Sequence, residues 1–487
     1  MADSAAARLV STALLALSMV ACGGSGPSED ASSRILEEAP DGGRVQSSEA
    51  GLVPGSGVVQ PTSKSDGIGG EGLEPERPPP PPVSLPEGES RPRFRRPEAI
   101  RGVYLNAWAS GSSRRLKEFV DLAGKTEVNA FVMDMKDATG FVSYASGVPA
   151  IRETGALGEL RIRNLPDVLR RLESEGIYPI ARIVIVKDPL LVEARPDLAV
   201  QDTAGGVWVD SKGLVWLNLY NREVWDYHVQ LAEEVARLGF PEIQWDYVRF
   251  PDAPESDMAR AVFPGDTLGP RTEAVRGFLE YARQRLDSLG YDVAMTADVF
   301  GVTTTFSRDV GIGQLWERFI DRVDAALPMV YPSHYWEGSF DLERPNAYPY
   351  EVVKEAMEDA IRRTVAVDGA GRVIPWLQDF TLGPPRYGAP EVRAQIQGVY
   401  DAGLREWILW NPGSRYSVEA LEPSIGFHLE PLIRVGGEVV ATSERFAALE
   451  RASRQRSVSD SLARLAADSL RLAEDTVGVG GGGDTRR

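Results

Sequence analysis

Apolar positions in this chain gather into eight short runs, and each run stops on polar or charged residues. They read VYLNAWAS, AFVMDMKD, YPIARIVIVKD, EIQWDYVRFP, VAMTADVFG, AALPMVYPSHY, VIPWLQDF and EWILWNPGS, between Val103 and Ser414. Runs of this length and apolarity predict buried strands. Between them apolar residues recur at helical spacing. Helices are predicted from Arg115 to Ala123 after the caps Ser112 and Ser113, and from Leu165 to Glu175, where Asn164 caps and Pro166 fits the first turn. Others are predicted from Asn221 to Leu238 before Gly239, Thr272 to Leu289 before Gly290, Tyr350 to Val365, and Pro390 to Ala402 before Gly403. Eight strand-then-helix units predict an α/β chain folded as a (β/α)8 TIM barrel. Its strands converge with their C-terminal ends on one mouth, so the polar residues that close the runs are the candidate site.

Composition divides the 487 residues unevenly. Arg8 precedes an apolar stretch from Leu9 to Val20, and Met19-Val20-Ala21-Cys22 resembles a bacterial lipobox. Residues 1–22 therefore predict a lipoprotein signal peptide with Cys22 as the lipidated residue, and an extracytoplasmic protein anchored to a bacterial membrane. Residues 23–96 are rich in Gly, Ser, Pro and Glu and poor in aromatics, which predicts a disordered linker. Within it Pro78 to Pro82 predicts a polyproline II spacer. The barrel domain is expected over 97–435. Residues 436–487 are expected to be a C-terminal helical segment, with a stripe of Val458, Leu462, Leu465 and Leu470, and a Gly-rich tail from Gly478 to Gly483.

Charge and cysteine usage remove several function classes. A net charge of −18 disfavours nucleic acid, whose phosphates need a basic surface. One cysteine and three histidines leave no intramolecular disulfide and no Cys or His zinc cluster. There is no phosphate-binding Gly-rich loop and no Gly-x-Ser-x-Gly elbow. Neither metal nor cofactor is expected.

The chemistry that remains is carboxylate chemistry. In Gln244-Trp245-Asp246-Tyr247 the alternation of a strand puts Gln244 and Asp246 on one face, at the end of strand four. A carboxylate there needs a partner, and Arg249 is the expected one. In the next run Thr296 and Asp298 share a face, so Asp298 stands at the end of strand five. Two carboxylates on neighbouring strand ends suit acid/base work on a glycosidic bond. Around them Asp134, Lys136, Lys187, Arg249, Tyr331, His334, Gln378 and Asn411 are the expected substrate-binding residues. Trp108, Trp216, Tyr247, Tyr331, Tyr335, Trp336, Trp376 and Trp410 are candidate surfaces for the apolar faces of sugars. Each Asp can instead be a helix cap or a structural ion pair, and each ring can be packing. Asp134, Asp137, Asp246, Asp298 and His334 could also hold a hard metal, although no Asp-x-Asp or His-x-His spacing supports it.

The ordered set VYLNAWAS, FVMDMKDATG, QWDYVRFP, MTADVFG and LPMVYPSHY resembles a bacterial family of barrels named as a putative glycoside hydrolase domain, once of unknown function and related to the alpha-amylase-like clan. The resemblance runs from about Arg101 to Leu432. It implies that Asp246 is the nucleophile or charge stabiliser, that Asp298 is the acid/base, and that the mechanism is retaining. Clan members usually carry Glu after strand five and an Arg two residues before the nucleophile; here Asp298 and Arg249 stand instead. The expected function is hydrolysis of an extracellular or cell-envelope polysaccharide. The alternatives are a non-catalytic carbohydrate-binding barrel, a metal-dependent hydrolase such as a polysaccharide deacetylase, and a structural envelope protein acting through its C-terminal helix.

Overall fold

The computed structural model describes residues 80–85, 87, 90–265, 268–424, 432–435 and 438–441. The expected signal peptide, most of the linker and the stripe from Val458 to Leu470 lie outside the described residues. The eight runs form β1 (Arg101–Leu105), β2 (Ala130–Lys136), β3 (Tyr178–Val184), β4 (Glu242–Asp246), β5 (Ala294–Phe300), β6 (Ala325–Met329), β7 (Trp376–Gln378) and β8 (Trp407–Trp410). All pair in parallel from β1 through β6; β7 pairs with both β6 and β8, and β8 pairs with β1. The sheet is thus a closed (β/α)8 barrel without a free edge.

Alternation along each strand makes two cores. Tyr104, Val132, Ile180, Leu327, Trp376 and Ile408 fill the interior. Phe131, Met133, Ile183, Trp245 and Met295 point the other way, into the layer that the helices cover. Those helices are α1 (Ser113–Lys125), α2 (Leu165–Ser174), α3 (Arg222–Leu238), α4 (Arg271–Asp287), the single turn α5 (Trp316–Phe319), α6 (Pro349–Thr364) and α7 (Ala389–Asp401). The predicted caps Ser112 and Asn164 are in place, accepting from Arg115 N and Asp167 N; Ser113 is the first helical residue, and Asn221, expected inside its helix, caps it by accepting from Glu223 N.

Order starts earlier than the composition implies. The last part of the expected linker crosses the N-terminal end of the barrel as an extended strap. Arg91 donates to Ala236 O (3.1 Å) and covers the Tyr291 ring (3.8 Å), and Arg96 pairs with Glu406 (2.8 Å). Pro92 lies against Gly239, whose φ of 122° ends α3 and whose lack of a Cβ admits the proline. Upstream, Val83 N donates to Ala145 O (2.7 Å). Proline-rich sequence has little conformational entropy to lose, so a modest set of contacts can hold it. At the other end of the domain an antiparallel pair, Leu432–Val435 with Glu438–Ala441, spans the expected boundary at 435/436.

One charge is buried at the N-terminal end. Glu242 opens β4, is 1 % exposed, and neither of its oxygens has a partner at hydrogen-bonding geometry, although Tyr178 lies beside it. Burial raises its acid from 4.5 to about 7, with Arg96 opposing the shift. The unfolded chain gives up this proton near pH 4.5 while the folded chain keeps it to about 7. Stability therefore falls across that window, and the loss is complete above it. Glu242→Gln is expected to raise Tm at pH 8, by on the order of 1–3 kcal/mol of stability, with the gain fading by pH 4.5. Thermal unfolding at the two pH values checks it; a pH-independent difference contradicts it.

Candidate active site

The mouth is organised around an arginine that the strand-end reading passed over. Arg182 lies within β3, in register with Asp134 of β2 on one side and Gln244 of β4 on the other. Asp246 and Asp298 stand two residues further along β4 and β5 on the same inward face, nearer the mouth. The Arg182 guanidinium, 4 % exposed, reaches all three carboxylates. Nη1 donates to Asp134; Nη2 and Nε both donate to Asp246 Oδ2, the latter at 3.0 Å; and Nε is 3.8 Å from Asp298 Oδ2. A planar fork with five donors suits this position, where a buried charge must be met from several directions.

Each carboxylate has further partners. The Tyr104 hydroxyl donates to Asp134. Burial is the chief cause that raises the Asp134 acid to about 6. Asp246 Oδ1 accepts from the N–H of Tyr247 at 2.6 Å. Tyr247 has φ of 54°, a left-handed conformation costly for an aromatic residue, and such strain gathers at functional sites. Asp298 accepts from Gln244 Nε2 at 2.8 and 2.9 Å and from Trp376 Nε1 at 2.7 Å. Burial first, and the Asp246 charge second, push the Asp298 acid well above the ordinary carboxyl range. Tyr331, 2 % exposed, stands close enough for both charges to act on its hydroxyl. Trp410 stacks on Tyr104 (4.1 Å between centroids) and meets Trp376 edge to face (5.4 Å), roofing the arginine.

The two principal carboxylates therefore do share one inward-facing site. They are 5 % and 2 % exposed, so they sit deep among rings and not in a wide open bowl. One nitrogen within 3.0 Å of Asp246 Oδ2 and 3.8 Å of Asp298 Oδ2 places those oxygens within about 7 Å of each other, which covers the retaining separation and only the short end of the inverting one. A cleft of about 610 Å³ lies at the barrel's opposite end, lined by residues such as Arg101, Arg372 and Glu406; none of the predicted site residues borders it.

Several expectations are redirected. Arg249 is not the partner of Asp246. The turn at Tyr247 carries it away to Asp252 (2.9 Å) and Phe250 O, with its guanidinium over Trp216, Tyr247 and Phe300. Lys136 does not share the face of Asp134, because a β-bulge between them breaks the alternation. It turns to the helix side, fully buried, paired with Asp188 (3.0 Å) and Val184 O (2.8 Å), and its charge acts on His228 of α3. Asp188 also caps the helical turn Pro189–Ala194. Gln378 and Asn411 spend their polar groups inside the wall: Gln378 holds Ser333 and Phe380 O, and Asn411 holds Asp379 O, Gly413 N and Arg415 N. Lys187 lies over Trp216 and Tyr247 at 4.9 Å each. His334 is half-buried against Tyr331 and Phe380, and burial lowers its pKa to about 4.

The metal reading fails on donor chemistry. Among the described residues no group of three or more His, Cys, Asp or Glu side chains converges as a metal would require. Between Asp134, Asp246 and Asp298 the cationic place is filled by Arg182, and Asp137 pairs with Arg161.

A family described as "Putative glycosyl hydrolase domain" matches residues 102–416. No curated protein matches the chain. Among solved structures, a hypothetical protein from Ruminiclostridium thermocellum ATCC 27405 is 40% identical over 40% of this chain and 97% of its own, with a TM-score of 0.37. The PgaB (BpsB) glycoside hydrolase domain from Bordetella bronchiseptica is 13% identical, covering 65% of this chain and 95% of its own, with a TM-score of 0.46. A chitobiase from Flavobacterium johnsoniae is 12% identical, covering 75% and 52%, with a TM-score of 0.43.

Proposed function

Since this chain belongs to the putative glycosyl hydrolase domain family, we propose that it hydrolyses O-glycosidic bonds of an extracellular or cell-envelope polysaccharide, with Asp298 as general acid/base and Asp246 as nucleophile or charge stabiliser. The observation that carries the reading is the asymmetry of two carboxyls held by one guanidinium. Asp246 is the charged member of a two-pronged ion pair with Arg182. Asp298, dry and beside that charge, holds its proton well beyond the ordinary carboxyl range. Neighbouring carboxyls driven apart in this way are what glycosidic cleavage needs: one to protonate the leaving oxygen, one to meet the positive charge at the anomeric carbon. The separation bound favours a retaining course.

In this reading Tyr331 and His334 border the sugar. Asp134 acts through Arg182, and Lys136 supports the wall. The lipobox ending in Cys22 supports attachment to a bacterial membrane on its outer side, where polymeric glycans are met.

Screening the purified protein against envelope and storage polysaccharides, with product anomers read by proton NMR, tests the proposal. Retention of configuration is expected. Activity should fall as the pH rises through the raised Asp298 pKa, because the acid form is the one that works, so the alkaline limb should lie above the ordinary carboxyl range. Glycan binding without cleavage would favour a non-catalytic carbohydrate-binding barrel.

A further inference from the structure

Most of the rings at the mouth are packed away, but two sets are not. Trp108 follows β1 on the helical turn Ala107–Gly111 and is 62 % exposed. Its surroundings are fixed. Asn106 caps the turn through Ala109 N (2.9 Å), and the Arg161 guanidinium lies 5.5 Å from the Trp108 ring and 5.4 Å from that of Phe141. Arg161 is in turn held by Asp137, by Glu159 (2.9 Å) and by Thr139 (3.2 Å). Asp137 follows β2 directly, and its charge reaches Asp134, so this assembly adjoins the site. The other set is Phe306, after β5, and Trp336, after β6, both half-buried and stacked at 6.1 Å with only 13° between their planes. In a closed ring of eight strands β1 and β5 are four apart and face each other. Trp108 and the stack therefore follow strands on opposite sides of the ring, and Asp246 and Asp298 face inward from β4 and β5.

A flat, preorganised ring matches the C–H face of a pyranose, and Trp108 is exposed while its surroundings are fixed. Resting on the hydrolase reading above, we propose that Trp108 and the Phe306–Trp336 stack are sugar platforms on opposite rims, so that the barrel holds an extended glycan across its mouth and cuts it internally. A chain that touches both rims has sugars on both sides of the carboxylates. An enzyme that trims chain ends needs one of those sides closed.

Calorimetric titration of an Asp298→Asn background, which preserves the carboxyl shape, tests this with cello-, chito-, manno- and maltohexaose and the matching disaccharides. At least one hexaose is expected to bind about tenfold or more tightly than its disaccharide. Trp108→Ala and Trp336→Ala should each remove most of that preference and leave disaccharide affinity within about twofold, as expected when a ring remote from the reacting bond is lost. Unchanged Tm for Trp108→Ala would show that the loss is local. Equal or absent binding of hexaose and disaccharide across the panel overturns the proposal, as does a preference that survives either substitution. Cleavage of the same hexaoses by the protein with Asp298 intact is read in parallel. Products of two to four sugars support internal cutting, and release of single sugars alone overturns it. Binding of the expected kind with no cleavage overturns the hydrolase reading instead and leaves the platforms standing.

Discussion

Asp246→Asn is expected to abolish turnover, lowering kcat by about three to four orders of magnitude, the range seen when a charged member of a catalytic set is removed. The substitution keeps the side chain's shape and its contact with Tyr247 N but deletes the charge that Arg182 grips with two nitrogens. A second readout separates this role from a structural one. The Asp246 charge is one of the causes that hold the Asp298 acid high. Without it that acid must drop, so the alkaline limb of the residual activity should move to lower pH. Binding of oligosaccharide should survive. Turnover within about tenfold of wild type would place the chemistry on other residues.

Arg182→Met is expected to be the most damaging single change to stability. It leaves Asp134, Asp246 and Asp298 facing one another in a space that admits almost no water. Breaking a buried ion cluster by removing one partner costs about 3–5 kcal/mol. The sign of the pH dependence follows from the same contacts. Deprived of the guanidinium, the three folded-state carboxyls hold their protons more tightly than the unfolded chain does. The deficit is therefore largest at neutral and higher pH and shrinks as pH falls towards the ordinary carboxyl range. Thermal unfolding at pH 5 and pH 8 measures it. A variant as stable as wild type at pH 8 would mean that Arg182 does not balance buried charge on Asp134 and Asp246, and would remove the electrostatic basis for the site. Arg182→Lys should recover only part of the loss, because an ammonium cannot grip Asp246 with two donors while also reaching Asp134.

The barrel was legible because each strand run is a short apolar block and most of the principal helices, though not α6, carry a cap or a glycine stop. These signals are local and agree with the global fold. Asp246 and Asp298 were legible for the same reason: alternation within a strand fixes their faces. Arg182 was not, because attention to strand ends hides a charge in the middle of a strand. Its signal is nonetheless present: a lone arginine inside YPIARIV, where every neighbour is apolar, can be buried only if carboxylates on adjacent strands meet it. The turning of Lys136 was hidden for a different reason. One bulged residue reverses inside and outside, and nothing in AFVMDMKD announces it. Arg249 misled because sequence proximity stood in for spatial proximity across a strained turn.

The strap has a mechanical consequence. A pull on the chain upstream of residue 80 loads the Val83 bond to Ala145 and then the grip of Arg91 and Arg96 before it reaches β1. These contacts let go one at a time, like a peeled strip, whereas the strands of a closed cylinder must shear together. Tension is thus dissipated on the far side from the carboxylates, and the geometry around Arg182 is shielded from strain arriving through the residues upstream.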